Sequence, residues 1–264
     1  MQFIEQMDRK GRIIMKKENQ IHEILLMPIY CDKKHDKISR EDNKIKTGQK
    51  YRSMVDEDMS DFAIGFYEIV YKDILNSKPL LEHNGSLCNN EYAGDTMNSF
   101  NTIANITHGA GKSRAKRTAK EEWPEYLLNY HSKYHCLANF WLLPMEIGRM
   151  TKGALNKARN PIGDYMDCFL EMVHSEVMFD ESDMKHSKYF SCFKNWNDFT
   201  DKHFLKNSYL DQKLKVDLYS NYNEDRSEHF IEKVLDKIEQ RAKCIAKSNY
   251  AEELWNYFNE WQLF

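Results

Sequence analysis

The sequence predicts a mainly α-helical fold: a single α-helical domain with at most a few short strands. Three observations lead there. Apolar residues recur at helical spacing in several windows, most regularly from Ser227 to Lys247, where Phe230, Val234, Leu235, Ile238 and Ile245 fall on one stripe. With 41% hydrophobic and 13% aromatic residues in 264, the chain can fill a core without disulfides or metal. Only 10 Gly and 5 Pro are present, which excludes collagen-like and low-complexity classes.

The elements follow in order. Residues 1–57 form a basic, partly loop-like N-terminal segment, and 58–264 the helical globular domain. Residues 1–52 hold 13 Lys/Arg against 8 Asp/Glu. Cys31 to Arg52 is polar and reads as a loop or connector. Ser60-Asp61 caps a helix through Asn76 with Phe62, Phe66, Ile69, Val70 and Ile74 on its apolar face. Residues 78–94 are turn-rich, and Asp95 to Thr107 reads as a short helix. Glu121 to Tyr134 is helical with Pro124 in its first turn. Leu137 to Leu143 is too short and too evenly apolar to assign, leaving strand and buried helix open. After a loop around Gly148 and Gly153, helices are expected at Asp164–Met178, Asn197–Lys206, Tyr209–Ser220, Ser227–Lys247 and Tyr250–Trp261. The last carries Trp255, Tyr257, Phe258 and Trp261, a pattern of core or of a docking face.

The charge sum of −3 gives no global nucleic-acid or membrane signature. No apolar run approaches the ~20 residues of a bilayer span, and no membrane partner is expected. The opening MQFIEQMDRKGRIIMKK lacks the apolar run of a secretion signal. Six cysteines (Cys31, Cys88, Cys136, Cys168, Cys192, Cys244) are scattered without C-x-x-C spacing, as buried free thiols are. A cytoplasmic location is the expectation.

The densest run of chemically capable residues is Tyr130 to Pro144. On a continuous helix, His131 and His135 share a face at the spacing of two imidazole ligands. Ser132 stands where an H-E-x-x-H peptidase needs Glu, which excludes that class. Zinc held by both histidines, Cys136 and a distant ligand stays open, as does a helix end with local hydrogen bonds. Upstream, Lys112, Arg114, Lys116, Arg117 and Lys120 place five cations in nine residues without an acid. Such a strip suits phosphates, each contact releasing counterions; it is also what a solvated face looks like. Within His108-Gly109-Ala110-Gly111-Lys112-Ser113 a phosphate loop would need Gly at position 106, which is Ile106, so this is a basic loop.

His135, then Asn139-Phe140-Trp141-Leu142-Leu143, then Asn156-Lys157, resembles the latter half of the HNH-type nuclease motif, as in the C-terminal domain of GmrSD-like restriction enzymes. The resemblance implies a metal-dependent phosphodiester hydrolase, with phage defence as the expected setting. His135 or His108 would be the base, Asn139 the orienting residue, and Asn156 with His131 and His135 the holders of a divalent ion (Mg, Mn or Zn). The sequence departs from that motif: no Asp-His pair precedes Asn139, and no second His accompanies Asn156. A wider resemblance, over residues 90–170, is to uncharacterised bacterial proteins that pair a G-D-T-x-N-S segment with H-x-x-x-N-F-x-L-L-P; no activity travels with it.

Three readings result. The first is a metal-dependent nuclease-like or nucleic-acid-directed protein. The second is a non-catalytic interaction protein that forms homo-oligomers through the aromatic C-terminal helix. The third is a zinc-stabilised fold without catalysis.

Overall fold

The computed structural model describes residues 16–32, 35–49, 56–76, 80, 92–100, 103–104, 123–144, 170, 174, 192–206, 208–209 and 224–264. The expected helices Asp164–Met178 and Tyr209–Ser220 and the Gly148–Gly153 loop lie essentially outside them.

Residues 16–26 are helical (α1) and bury Ile21, Ile24 and Leu25. Strands β1 (Ile29–Cys31), β2 (Ser39–Glu41) and β3 (Lys44–Thr47) follow. They form a sheet of order β1-β3-β2, with β1 parallel to β3 in the register Ile29↔Ile45 and β2 antiparallel to it with Arg40↔Ile45. Asp42, at φ 51°, takes the left-handed conformation that turns the tight β2–β3 hairpin. The segment expected to be a loop is therefore a small sheet. Its strands are only three or four residues long: β1 buries Ile29 and Cys31 and β3 buries Ile45 and Thr47, an alternation too brief to mark a strand in the sequence.

A 3-10 turn (Glu57–Met59) leads into helix α2 (Asp61–Val70), whose Ser60 cap accepts a hydrogen bond from the Ala63 N–H at 3.2 Å, where the sequence placed it. Phe62, Ala63, Ile64, Phe66, Tyr67 and Val70 are all buried, so α2 is covered on more than the expected face.

Strand β4 (Tyr92–Thr96) pairs antiparallel with β5 (Phe140–Pro144), Gly94↔Leu142 and Thr96↔Phe140. A short helix over Asp95 to Thr107 was expected: Asp95 and Thr96 are strand instead, while Phe100, Ile103 and Ala104 further along are helical. All five β4 residues are buried, which removes the polar/apolar alternation by which a half-exposed strand is recognised. Gly94 has a specific reason: a Cβ there would lie 2.0 Å from the Asp58 carbonyl oxygen and 2.6 Å from the Tyr67 ring.

Helix α3 (Glu125–Lys133) starts after Pro124, which is its N-cap rather than part of its first turn, and a 3-10 turn (Leu137–Asn139) joins it to β5. Both options left open for Leu137–Leu143 are thus partly used: a helical turn, then a buried strand. Helices α4 (Trp196–Lys202), α5 (Glu224–Ala246) and α6 (Ala251–Glu260) complete the chain close to the expected bounds.

Helix α6 turns its aromatics inward. Tyr257 and Phe258 lie 5.8 Å from Phe62, ring centre to ring centre, and the Tyr257 hydroxyl donates to the Phe62 carbonyl at 3.2 Å. The fold is therefore mixed α/β, six helices with two small sheets among the described residues, and not purely helical. Ile24, Ile45, Phe62, Trp141, Ile238 and Phe258 belong to one buried cluster. No helix among the described residues is long and apolar enough to cross a membrane.

Candidate functional site

The two segments that stood out in the sequence meet across the β4–β5 ladder. At its end Asn98 and Asn139 form a reciprocal amide pair. The Asn139 Oδ1 accepts from the Asn98 backbone N–H (3.2 Å) and from its Nδ2 (3.3 Å), while its own Nδ2 donates to the carbonyls of Asn98 (3.1 Å) and Tyr134 (2.8 Å). Asn139 is fully buried and its amide capacity is spent on these four bonds. Its place is one of positioning: it fixes the Tyr134 backbone and so the residue that follows.

That residue is His135. Its carbonyl accepts from the Ile29 N–H at 2.7 Å, tying it to β1. Its Nδ1 lies 3.3 Å from Glu57 Oε2, with side-chain exposures of 28% and 24% that leave the pair reachable from solvent. The ring lies 3.9 Å from that of Tyr134, centre to centre. Burial lowers the imidazole from its ordinary value to about 4; nearby Asp56 opposes this and His131 adds to it. Burial also raises the Glu57 carboxyl. Desolvation thus dominates at both groups, and the imidazole is neutral at neutral pH with its Nδ1 facing the Glu57 carboxyl. With the proton on the Nδ1 that faces Glu57, Nε2 is the proton-accepting position.

The surroundings are acidic and hydroxylic. Asp56 N–H donates to Gln49 Oε1 (2.8 Å), Thr96 Oγ1 donates to Asp58 Oδ2 (3.1 Å), and the Tyr67 hydroxyl donates to the Asp58 carbonyl (2.9 Å). Burial, with Glu57, Asp58 and Asp56 nearby, holds the Tyr134 phenol protonated far above its ordinary range.

His131 occupies the last turn of α3 in an aromatic setting, 4.6 Å from Phe100, 5.7 Å from Trp123 and 5.9 Å from Tyr134 between ring centres. The helix stops at Lys133 and Cys136 is extended (φ −136°, ψ 158°), so His131 and His135 do not share a helical face. They flank Tyr134 instead. Cys136 is a buried free thiol whose pKa burial pushes up to about 12. Among the described residues no group of three His, Cys, Asp or Glu is placed to hold a metal ion. His108, Lys112, Arg114, Lys116, Arg117, Lys120 and Asn156 lie outside the described residues.

Two functional or structural anchors escaped the sequence reading. Glu57 sits in an acidic run at the expected domain boundary, and nothing in its spacing pointed to His135. Arg241 is fully buried: Nε donates to the His203 carbonyl (3.0 Å), Nη1 to those of Ala138 (2.7 Å) and Phe140 (2.9 Å), and Nη2 to the Tyr71 hydroxyl (3.1 Å). A readable signal existed, since Arg241 continues the Val234, Ile238, Ile245 stripe. A cation in register with a buried face announces buried acceptors.

No family model, no curated protein and no solved structure matches the chain.

Proposed function

We propose that this chain is a nucleic-acid-directed, metal-dependent phosphodiester hydrolase in which His135, oriented by Glu57, is the general base. The observation that carries the reading is the Glu57–His135 pair: an imidazole whose pKa burial lowers, partly open to solvent, with Glu57 Oε2 3.3 Å from its Nδ1. Such a pair fixes the tautomer and leaves Nε2 to take a proton from attacking water. With a pKa of about 4 the free imidazole is a weak base but is almost wholly in its proton-accepting form at neutral pH, and the adjacent carboxylate stabilises the imidazolium as it forms. Asn139 acts through the backbone of Tyr134. The basic residues Lys112, Arg114, Lys116, Arg117 and Lys120 would hold the phosphate backbone. A divalent ion, for which His131 and Asn156 are the proposed ligands, would supply charge stabilisation at the scissile phosphate.

The test is a gel assay of the wild type and His135→Ala on single- and double-stranded DNA and RNA, at low salt with Mg²⁺, Mn²⁺ or Zn²⁺. The reading expects metal-dependent cleavage that the variant loses while its melting stays unchanged. Equal cleavage by both proteins would refute it.

A second reading, a non-catalytic protein that self-associates through the C-terminal helix, draws on one observation. Trp255 stacks on Phe264 at 4.2 Å, and Phe264 is 37% exposed. Most α6 aromatics are spent inside the fold, so this reading rests on that one pair. A monomeric wild type in solution, or an oligomer unaffected by Trp255→Ala, would remove it.

A further inference from the structure

A cavity of about 670 Å³ opens between α1, the β2–β3 hairpin, the end of α3 and the middle of α5, a volume within the range of small-molecule sites. It does not include Glu57 or His135. Its floor is apolar, with Leu26, Leu235 and Ile238 among the lining side chains.

The charges around it are unevenly committed. Its two carboxylates already have cationic partners: Glu23 holds Arg40 at 2.7 Å and Glu239 holds Lys243 at 2.9 Å. Its two ammonium groups, Lys44 on β3 and Lys133 at the end of α3, have no carboxylate partner among the described residues. His22 adds no charge at neutral pH, because burial lowers its imidazole below the ordinary value. What remains unneutralised is a pair of cations above an apolar floor. Lys133 also stands in the last turn of α3, where the helix dipole favours the cation but leaves it available to a ligand.

We propose that this cavity binds a small amphipathic organic anion, its apolar body on the Leu26–Leu235–Ile238 floor and its acidic head between Lys44 and Lys133. The anion contributes the negative charge that neither Glu23 nor Glu239 can offer. The apolar body supplies most of the affinity by leaving water, and the lysines select for the head. The site is built from residues other than Glu57 and His135, so it stands or falls independently of the hydrolase reading.

The probe pair is 8-anilinonaphthalene-1-sulfonate and N-phenyl-1-naphthylamine, which share an apolar body and differ in the sulfonate. Fluorescence titration of the full chain is expected to show one sulfonate probe bound per chain, about tenfold tighter than the neutral one. Raising the salt should narrow that gap, as the lysines are exposed. In the double variant Lys44→Ala/Lys133→Ala the sulfonate probe should fall to the affinity of the neutral probe, which itself should not change. Leu235→Trp, which fills the floor, should abolish both. A wild type that binds the two probes equally, or a lysine double variant that keeps the preference, would overturn the proposal. Because the two lysines are solvent-exposed, that variant decides the matter even if Leu235→Trp fails to fold.

Discussion

Replacing Arg241 with Met keeps most of the side-chain volume and removes every donor. The acceptors it leaves are main-chain carbonyls of His203, Ala138 and Phe140 and the Tyr71 hydroxyl, none of which leaves with the side chain. A buried acceptor stripped of its donor costs ~1–3 kcal/mol, and breaking a buried charged network ~3–5 kcal/mol. The Tyr71 hydroxyl keeps His203 Nδ1 at 3.2 Å, so the lower end of the network range, ~3 kcal/mol, is the expectation for Arg241→Met. Against a total stability of ~5–15 kcal/mol this is a large fraction, and at ~2–4 °C per kcal/mol it lowers the melting temperature by roughly 6–12 °C. Arg241→Lys retains a charge and up to three donors on one nitrogen, but cannot span three elements at once, so it should fall between wild type and Met. Hydrophobic replacement of buried ion pairs is often stabilising, but only where both partners are replaced. Urea denaturation followed by circular dichroism measures the order. A Met variant as stable as wild type, or more stable than Lys, would refute the argument that the guanidinium pins α5 to the 137–140 segment. A second readout is His203, whose imidazole is held well below its ordinary value by burial and then by Arg241. Its pKa, followed by NMR, should rise in the Met variant.

Asn139→Ala removes four hydrogen bonds, three of them to Asn98, so it should cost ~2–4 kcal/mol; a loss under ~1 kcal/mol by urea melting would contradict the positioning role. Gly94→Ala forces a methyl to within 2.0 Å of the Asp58 carbonyl oxygen, so β4 and the Glu57–Met59 turn must separate. The expected loss is at least ~1–3 kcal/mol, and an unchanged melting temperature would show that the two backbones are not in contact. Acid should destabilise the fold through His135. Its pKa is lower folded (about 4) than unfolded (ordinary value 6.5), so the unfolded chain takes the proton first and stability falls as pH drops from about 6.5 to about 4. The slope is bounded by ~1.4 kcal/mol per pH unit, reduced by the partial exposure of the ring and opposed by Glu57, whose raised pKa has the opposite sign. His135→Gln should flatten the melting-temperature profile over that window, and an identical profile would contradict the assignment.

Helices α2, α5 and α6 were legible because each carries an apolar stripe long enough to show a period, and Ser60 announced the start of α2. The strands were not. β4 is buried on every residue, and β2 and β3 are three- and four-residue pieces of mostly polar sequence. Of the candidate site, His135 and Asn139 both stand in the run that the sequence singles out, but the relation between them was not legible there. The sequence reads as a helix from Glu121 to Tyr134, with His131 and His135 on one face only if it ran on, whereas the chain turns out of helix after Lys133 and Asn139 holds that turn. Glu57 was invisible because its partner lies 78 residues away and no local pattern links a 3-10 turn to a distant histidine. Arg241 was visible in principle, as the polar residue on an apolar stripe.

Single-turnover cleavage of a labelled oligonucleotide, with the metal that supports it at saturation, tests the central claim most directly. The account predicts that His135→Ala slows cleavage by roughly 10²- to 10⁴-fold, as loss of a general base does, with Glu57→Gln intermediate and substrate binding retained in both. Cleavage at the wild-type rate by His135→Ala, or a wild-type protein that cleaves nothing with any of Mg²⁺, Mn²⁺ or Zn²⁺, would contradict it.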